Sequence, residues 1–146
     1  MKEKDLPLVM ETGKMMREVV RVLKKRTVEQ AEIKLTIEEF VLLHTIYKNE
    51  VDVIQKDMAY ILGKDKSSIL RLIDSLEEKD LVRRVVDPTD RRKNYLMVTK
   101  NGEKELKEYL KVAFKLMDEI KEGLSESDMI TFYKVVNQIR LNSEKL

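Results

Sequence analysis

The sequence predicts a mainly α-helical chain that carries one small β-hairpin, and three observations predict it. Apolar residues recur at helical spacing over most of the 146 residues. Two short β-type runs, Leu81–Asp87 and Asn94–Thr99, are joined by a polar turn rich in arginine. Directly before them, a short helix pattern, a tight Gly63-Lys64-Asp65 turn and a second helix pattern follow one another. Together these describe a winged helix-turn-helix flanked at both ends by long helices.

Each element has its own signal. Leu8 to about Lys34 reads as one long helix, with Val9, Thr12, Met16, Val19, Leu23 and Val28 as its apolar stripe. Thr36 opens a second helix, and Glu39 three residues on completes a capping-box pattern. Its stripe reads Ile37, Phe40, Val41, His44 and Tyr47. Val51-Asp52-Val53 is short enough to serve only as a third strand beside the hairpin. Gln55–Leu62 forms a short helix stopped by Gly63, a C′ glycine. Asp65 is placed to cap the next helix, whose buried face is Ile69, Leu72, Ile73 and Leu76. After the hairpin, Thr99 starts a long helix with the stripe Leu106, Tyr109, Leu110, Ala113, Phe114, Met117 and Ile120. Gly123 ends it. Ser125 and Asp128 cap a last helix, running to about Asn142, with Met129, Phe132, Val135, Val136 and Ile139 on one side. The terminal helices carry more apolar surface than a small winged lobe can cover, which points to a homodimer.

Composition narrows the function. Hydrophobic residues make up 42% and charged residues 38%, as expected for a folded chain with charge-laced helices. Aromatics reach only 5% and there is no Trp, which argues against stacking platforms for single strands. The net charge is +2, so any nucleic-acid footprint must come from local clustering. With no cysteine, disulfides, thiol redox switching and Cys-ligated zinc are excluded. The opening residues lack the apolar core of a signal peptide, and no run approaches the ~20 apolar residues of a membrane span. A soluble cytoplasmic protein without membrane contact is the expectation. No nucleophile–base pair, Gly-x-Ser-x-Gly or phosphate-cradling loop occurs, so no catalytic residue, metal or cofactor is expected and an enzyme is not the reading.

The sharpest signal is the hairpin tip, Asp87-Pro88-Thr89-Asp90-Arg91-Arg92-Lys93. Proline and aspartate suit a turn, and Arg91, Arg92 and Lys93 project from it as consecutive cations. An arginine entering a narrow minor groove gains from its negative potential, and Asp90 suits the task of orienting an arginine beside it. The bland alternative is a solvated charged turn. Ser67, Ser68 and Arg71 lie in the first turns of the second helix of the helix-turn-helix, where hydroxyls reach phosphates or base edges and arginine pairs with guanine. The competing role for the serines is capping. Lys64 and Lys66 are candidate phosphate contacts. Arg83 and Arg84 alternate across the strand, so at most one can join a DNA surface. His44, the only histidine, sits among Phe40, Val41 and Tyr47. It reads first as a core or interface residue, and second, with Met16, Phe40 and Tyr47, as the lining of a pocket for a small acidic or phenolic ligand.

The residues Ser67–Lys79, Leu81-Val82-Arg83-Arg84, Asp87–Lys93 and Val98-Thr99-Lys100-Asn101-Gly102 resemble the multiple-antibiotic-resistance regulator (MarR) family of bacterial and archaeal transcription factors. Val98 stands where the family's motif has leucine, and Asp80 stands where it usually has glycine, a position whose left-handed backbone aspartate tolerates. The resemblance covers the whole chain in layout, as a single domain over 1–146. It implies dimerisation helices at 1–35 and 100–146 around a DNA-binding lobe at 36–99. It further implies a triangular homodimer on a pseudo-palindromic operator, with Lys66–Lys79 as recognition helix and Arg91 as minor-groove arginine positioned by Asp90. Release by a small amphipathic or phenolic effector is common in such proteins, whereas the cysteine chemistry of the oxidant sensors among them has no counterpart here. A transcriptional regulator, most simply a repressor, follows. The alternative from another class is a winged-helix protein–protein interaction module whose basic wing serves acidic partners.

Overall fold

Short-range side-chain chemistry sets most of the element boundaries. The computed structural model describes residues 6–29, 34–49 and 53–146. Along them run α1 (Leu6–Glu29), α2 (Ile37–Lys48), β1 (Val53–Ile54), α3 (Gln55–Leu62), α4 (Lys66–Glu78), β2 (Val82–Val86), β3 (Asn94–Val98), α5 (Lys100–Ile120) and α6 (Glu126–Ser143). α2 starts at the expected capping box, the Glu39 amide donating to the Thr36 hydroxyl at 3.2 Å and the Thr36 amide to the Glu39 carboxylate at 2.8 Å. Ser125 and Asp128 repeat the device at α6. Thr99 caps α5, its hydroxyl accepting the Gly102 amide at 2.9 Å. Gly63 and Gly123, at φ of 59° and 82°, take the left-handed backbone that ends α3 and the turn after α5, and Asp80 adopts it at 55°.

The strands form one antiparallel sheet in the order β1-β3-β2. Val53 pairs with Leu96 and Ile54 with Tyr95, so a third strand pairs with β3 at Val53, as expected, and includes Ile54; residues 51 and 52 lie outside the described residues. Across the hairpin, Val82 pairs with Val98 and Arg84 with Leu96. The sheet, α2 and α4 share one core that includes Leu42, Leu43, Ile69, Ile73, Leu76 and Leu96.

Several sequence expectations are corrected. α1 ends at Glu29, Lys34 is not helical, and residues 30–33 lie outside the described residues. In α2 the buried residues are Glu39, Leu42, Leu43 and Ile46, while Val41 and Tyr47 are exposed. This helix is apolar almost all round, so periodicity could not choose its inward face; the buried Glu39 does. Its carboxylate accepts the Lys79 ammonium at 2.6 and 2.8 Å and the Ser75 hydroxyl at 2.5 Å, from the C-cap and the C-terminal half of α4. Burial pushes the Glu39 carboxyl up, but the bonds from Lys79, Ser75 and the Thr36 amide outweigh it and hold it below its ordinary value. On α5 the buried face is Leu106, Tyr109, Val112 and Leu116, with Phe114 and Ile120 exposed. That helix has two apolar faces, and the chain buries one.

The chain divides into two compact units, Met1–Ala113 and Phe114–Leu146. In the second, α6 has no buried residue and exposes Ile130, Phe132, Tyr133, Val135, Val136 and Ile139.

Gly102 shows why the step after β3 ends in glycine. A Cβ there would lie 2.1 Å from the Leu81 carbonyl oxygen, which already accepts the Thr99 amide at 3.0 Å. Gly102→Ala must therefore push the first turn of α5 off the start of β2. It should lower unfolding free energy by roughly 1–3 kcal/mol, the usual cost of overpacking, as read by urea denaturation.

Candidate nucleic-acid interface

α3, the Gly63-Lys64-Asp65 turn and α4 form the helix-turn-helix. The Lys64 amide closes the turn on the Ala59 carbonyl at 3.1 Å, and the Lys64 ammonium donates to Glu38 of α2 at 2.9 Å. Lys64 is thus a tether between α2 and the turn. Asp65 caps α4 on both oxygens, accepting the Ser68 amide at 2.9 Å and the Ser68 hydroxyl at 2.6 Å. These bonds, the hydroxyl's first, lower the Asp65 pKa. Ser68 therefore performs the capping role that was its competing reading. Ile69, Ile73 and Leu76 point into the core, which leaves Lys66, Ser67 and Arg71 exposed on the rest of the helix.

The wing is organised from its base by Asp87, a buried residue. One carboxylate oxygen accepts the Thr89 amide at 2.7 Å, the Thr89 hydroxyl at 2.6 Å and the Asp90 amide at 3.1 Å. The other accepts the Tyr95 hydroxyl at 2.5 Å. The Thr89 hydroxyl, then that of Tyr95 and the Thr89 amide, hold the Asp87 carboxyl far below the usual carboxylate range. The Asp87 amide donates to the Lys93 carbonyl at 3.0 Å, closing the loop. Its effect is to present Arg91, Arg92 and Lys93 to solvent from a fixed frame.

Asp90 does orient an arginine, and it is Arg92. Its carboxylate accepts the Arg92 amide at 3.0 Å and the guanidinium at 3.2 Å. Arg91 and Lys93 have no ion pair among the described residues. Arg83 and Arg84 diverge as strand alternation requires. Arg83 is exposed, 3.5 Å from Asp80, whereas Arg84 turns inward to Asp74 and Glu77 of α4.

Of the residues expected to line a ligand pocket, Phe40 and His44 stack at 5.7 Å, and Phe40 stacks on Tyr109 at 4.2 Å. Met16 and Tyr47 are exposed. The Tyr109 hydroxyl is buried without a hydrogen-bond partner among the described residues, and burial raises its pKa. No group of acidic or histidine side chains among the described residues could hold a metal ion, and none of their helices is long and apolar enough to cross a membrane.

The model of the MarR family matches residues 35–93, the stretch from the start of α2 to the wing tip. Solved structures extend the likeness over the remaining helices. A crystal structure of MarR is 26% identical, covers 96% of this chain and 99% of its own, and superposes with a TM-score of 0.76. Residues 35–93 thus resemble the MarR family, and the whole chain shares the fold of a solved MarR. The transcriptional repressor CouR, bound to a 23-mer DNA duplex, is 25% identical at a TM-score of 0.76, over 96% of this chain and 98% of its own. The transcriptional regulator SlyA shares the fold at a TM-score of 0.80, with 20% identity over 94% of each chain. The family matched over residues 35–93 is one of winged-helix transcription regulators rather than enzymes.

Two parts of this site were not visible in the sequence. Asp87 passed for a turn former, although a carboxylate two and three residues ahead of unpaired amides is a recognisable turn signal. The ties from Arg84 to α4 carry no local signal. If the Asp87 carboxylate sets the wing, its stabilising effect is complete above the unfolded-state pKa and is lost as pH falls toward the depressed folded value. The stability gap between the native protein and Asp87→Asn should be full above about pH 5 and narrow as pH drops below about 4. Urea midpoints across that range would read it; a gap independent of pH would remove the carboxylate from the account.

Proposed function

We propose that this chain is a homodimeric repressor that binds a pseudo-palindromic operator in duplex DNA. Lys66, Ser67 and Arg71 on α4 meet the major groove, with Lys64 and Ser68 steadying its N-terminus. Arg91, Arg92 and Lys93, of which Asp90 orients Arg92, meet the minor groove and its phosphates. The observation that carries the reading is the pairing of an exposed α4 face with a wing whose buried Asp87 spends its charge on the loop, so that the cations stay outside. Dimerisation is supported by the apolar face of α6, on which no residue is buried within the chain. The duplex bound to CouR supports the choice of ligand.

We place effector release at the Phe40–His44 stack, where the unpartnered Tyr109 hydroxyl gives an amphipathic or phenolic compound a polar partner. Met16 and Tyr47 are exposed and would join such a site only from its rim.

A duplex selected from a random-sequence library by the native protein should be held as a dimer, with half-site centres on the order of 10 bp apart. Affinity should fall steeply with added salt, because released counterions supply much of it. Arg91→Ala should weaken binding about 10-fold without changing the unfolding midpoint. Mobility shift and sedentation in solution check these together: unaltered affinity removes Arg91 from the interface, and a monomer at working concentration overturns the assembly.

A further inference from the structure

Arg84 sits in the middle of β2, on the sheet face it shares with the buried Leu96. An arginine is an odd choice for the inward side of a five-residue strand. Its side chain is only 23% exposed, and its guanidinium reaches Asp74 with one terminal nitrogen and Glu77 with the other. The two carboxylates stand one turn apart on α4, a spacing that suits the planar fork of arginine. The backbone joins in, the Arg84 amide donating to the Glu77 carboxylate at 3.3 Å. Burial alone would lower the Arg84 pKa, but the two carboxylates outweigh it and raise it, so the charge is kept.

The tie matters because of leverage. A hairpin of two five-residue strands has little stability of its own. At about 3.3 Å per residue, the wing tip lies roughly 15 Å beyond Arg84, so tilting the hairpin by about 10° moves the tip by about 2–3 Å. Against a minor groove about 6 Å wide, that displacement separates insertion from collision. We propose that Arg84 is a positioning residue for DNA recognition: by holding Asp74 and Glu77 it locks the wing to α4, so that the two DNA-reading elements act as one rigid body. The inference rests on the DNA-binding reading above and adds a residue that itself touches no DNA.

A competing account gives Arg84 only the task of neutralising Asp74 and Glu77 near phosphates. Arg84→Lys keeps the charge and loses the fork, which separates the two. With the library-selected duplex, Arg91→Ala should cost about 10-fold in the native background but less than about threefold in Arg84→Met, because a wing already loose gains little from its tip. Arg84→Lys should resemble Arg84→Met in this cycle. Equal losses in all backgrounds, or full rescue by lysine, would overturn the positioning role. Amide exchange without DNA supplies an independent measurement: in Arg84→Met the amides of β2 and β3 should exchange faster while those of α2 and α6 do not. Unchanged exchange in the hairpin would also overturn it. Should Arg84→Met fail to fold, the Asp74→Asn variant, which removes one of the two partners, takes its place in both measurements. A native protein that selects no duplex would sink the DNA-binding reading and this role with it, whereas normal selection with additive losses would sink only the role.

Discussion

The Glu39 carboxylate is the constraint on which the winged lobe depends. Removing an unpaired charge from water costs several kcal/mol, so a carboxylate in this position is tolerated only if its donors are assembled around it. Those donors are the Thr36 amide, the Ser75 hydroxyl and the Lys79 ammonium, and Lys79 also donates to the Lys34 carbonyl at 3.0 Å. One oxygen pair thereby fixes the start of α2, the rotation of α2 about its axis, and the C-terminal half of α4. The N-terminal end of α4 is tied to the same turn of α2 by Glu38 and Lys64. α2 is the part against which the recognition helix is registered.

Viewed from α4, the same logic explains the charges on its sides. Ser75 and Lys79 are engaged by α2, and Asp74 and Glu77 by the wing. Ile69, Ile73 and Leu76 are taken by the core. Lys66, Ser67 and Arg71, all in the first half of the helix, stay exposed, as does Glu78 at its far end. Despite a net charge of only +2, cations stay exposed on α4 and at the wing tip, because Arg84 engages Asp74 and Glu77 and the wing loop engages Asp87.

How far the sequence disclosed this varies with the range of the interaction. Caps and turn residues act within three or four positions, and Thr36, Asp65, Ser125, Gly63 and Asp80 all take the conformations their residue types suggest. The hairpin was legible for the same reason, short of its third strand by one residue. The inward face of α2 was not, because Ile37, Phe40, Val41, Leu42, Leu43, Ile46 and Tyr47 surround the helix and the choice is made by Lys79, 40 positions away. The α5 face failed likewise, since two apolar stripes compete and one is left outside. At the site, the cations of the wing could be read from composition alone. The carboxylate that frames them, and the partner Asp90 chooses, depend on backbone geometry that residue types do not specify.

The homodimer proposed above would give the exposed apolar surface a role. Val9 and Met16 on α1, Phe114 on α5, and Phe132, Val135 and Ile139 on α6 follow helical spacing as regularly as any core residues, yet each is at least two-fifths exposed. Leaving such stripes in water forfeits about 25 cal/mol for each Å² that could be covered, a cost a folded chain bears when a second surface removes it. A two-fold partner is the economical cover, because the same stripe then serves both copies. It would also set two winged lobes at a fixed separation, which is what a pseudo-palindrome requires of whatever reads it. In the dimer proposed above, the terminal helices would contribute to specificity without touching a base, as Arg84 is proposed to do at shorter range.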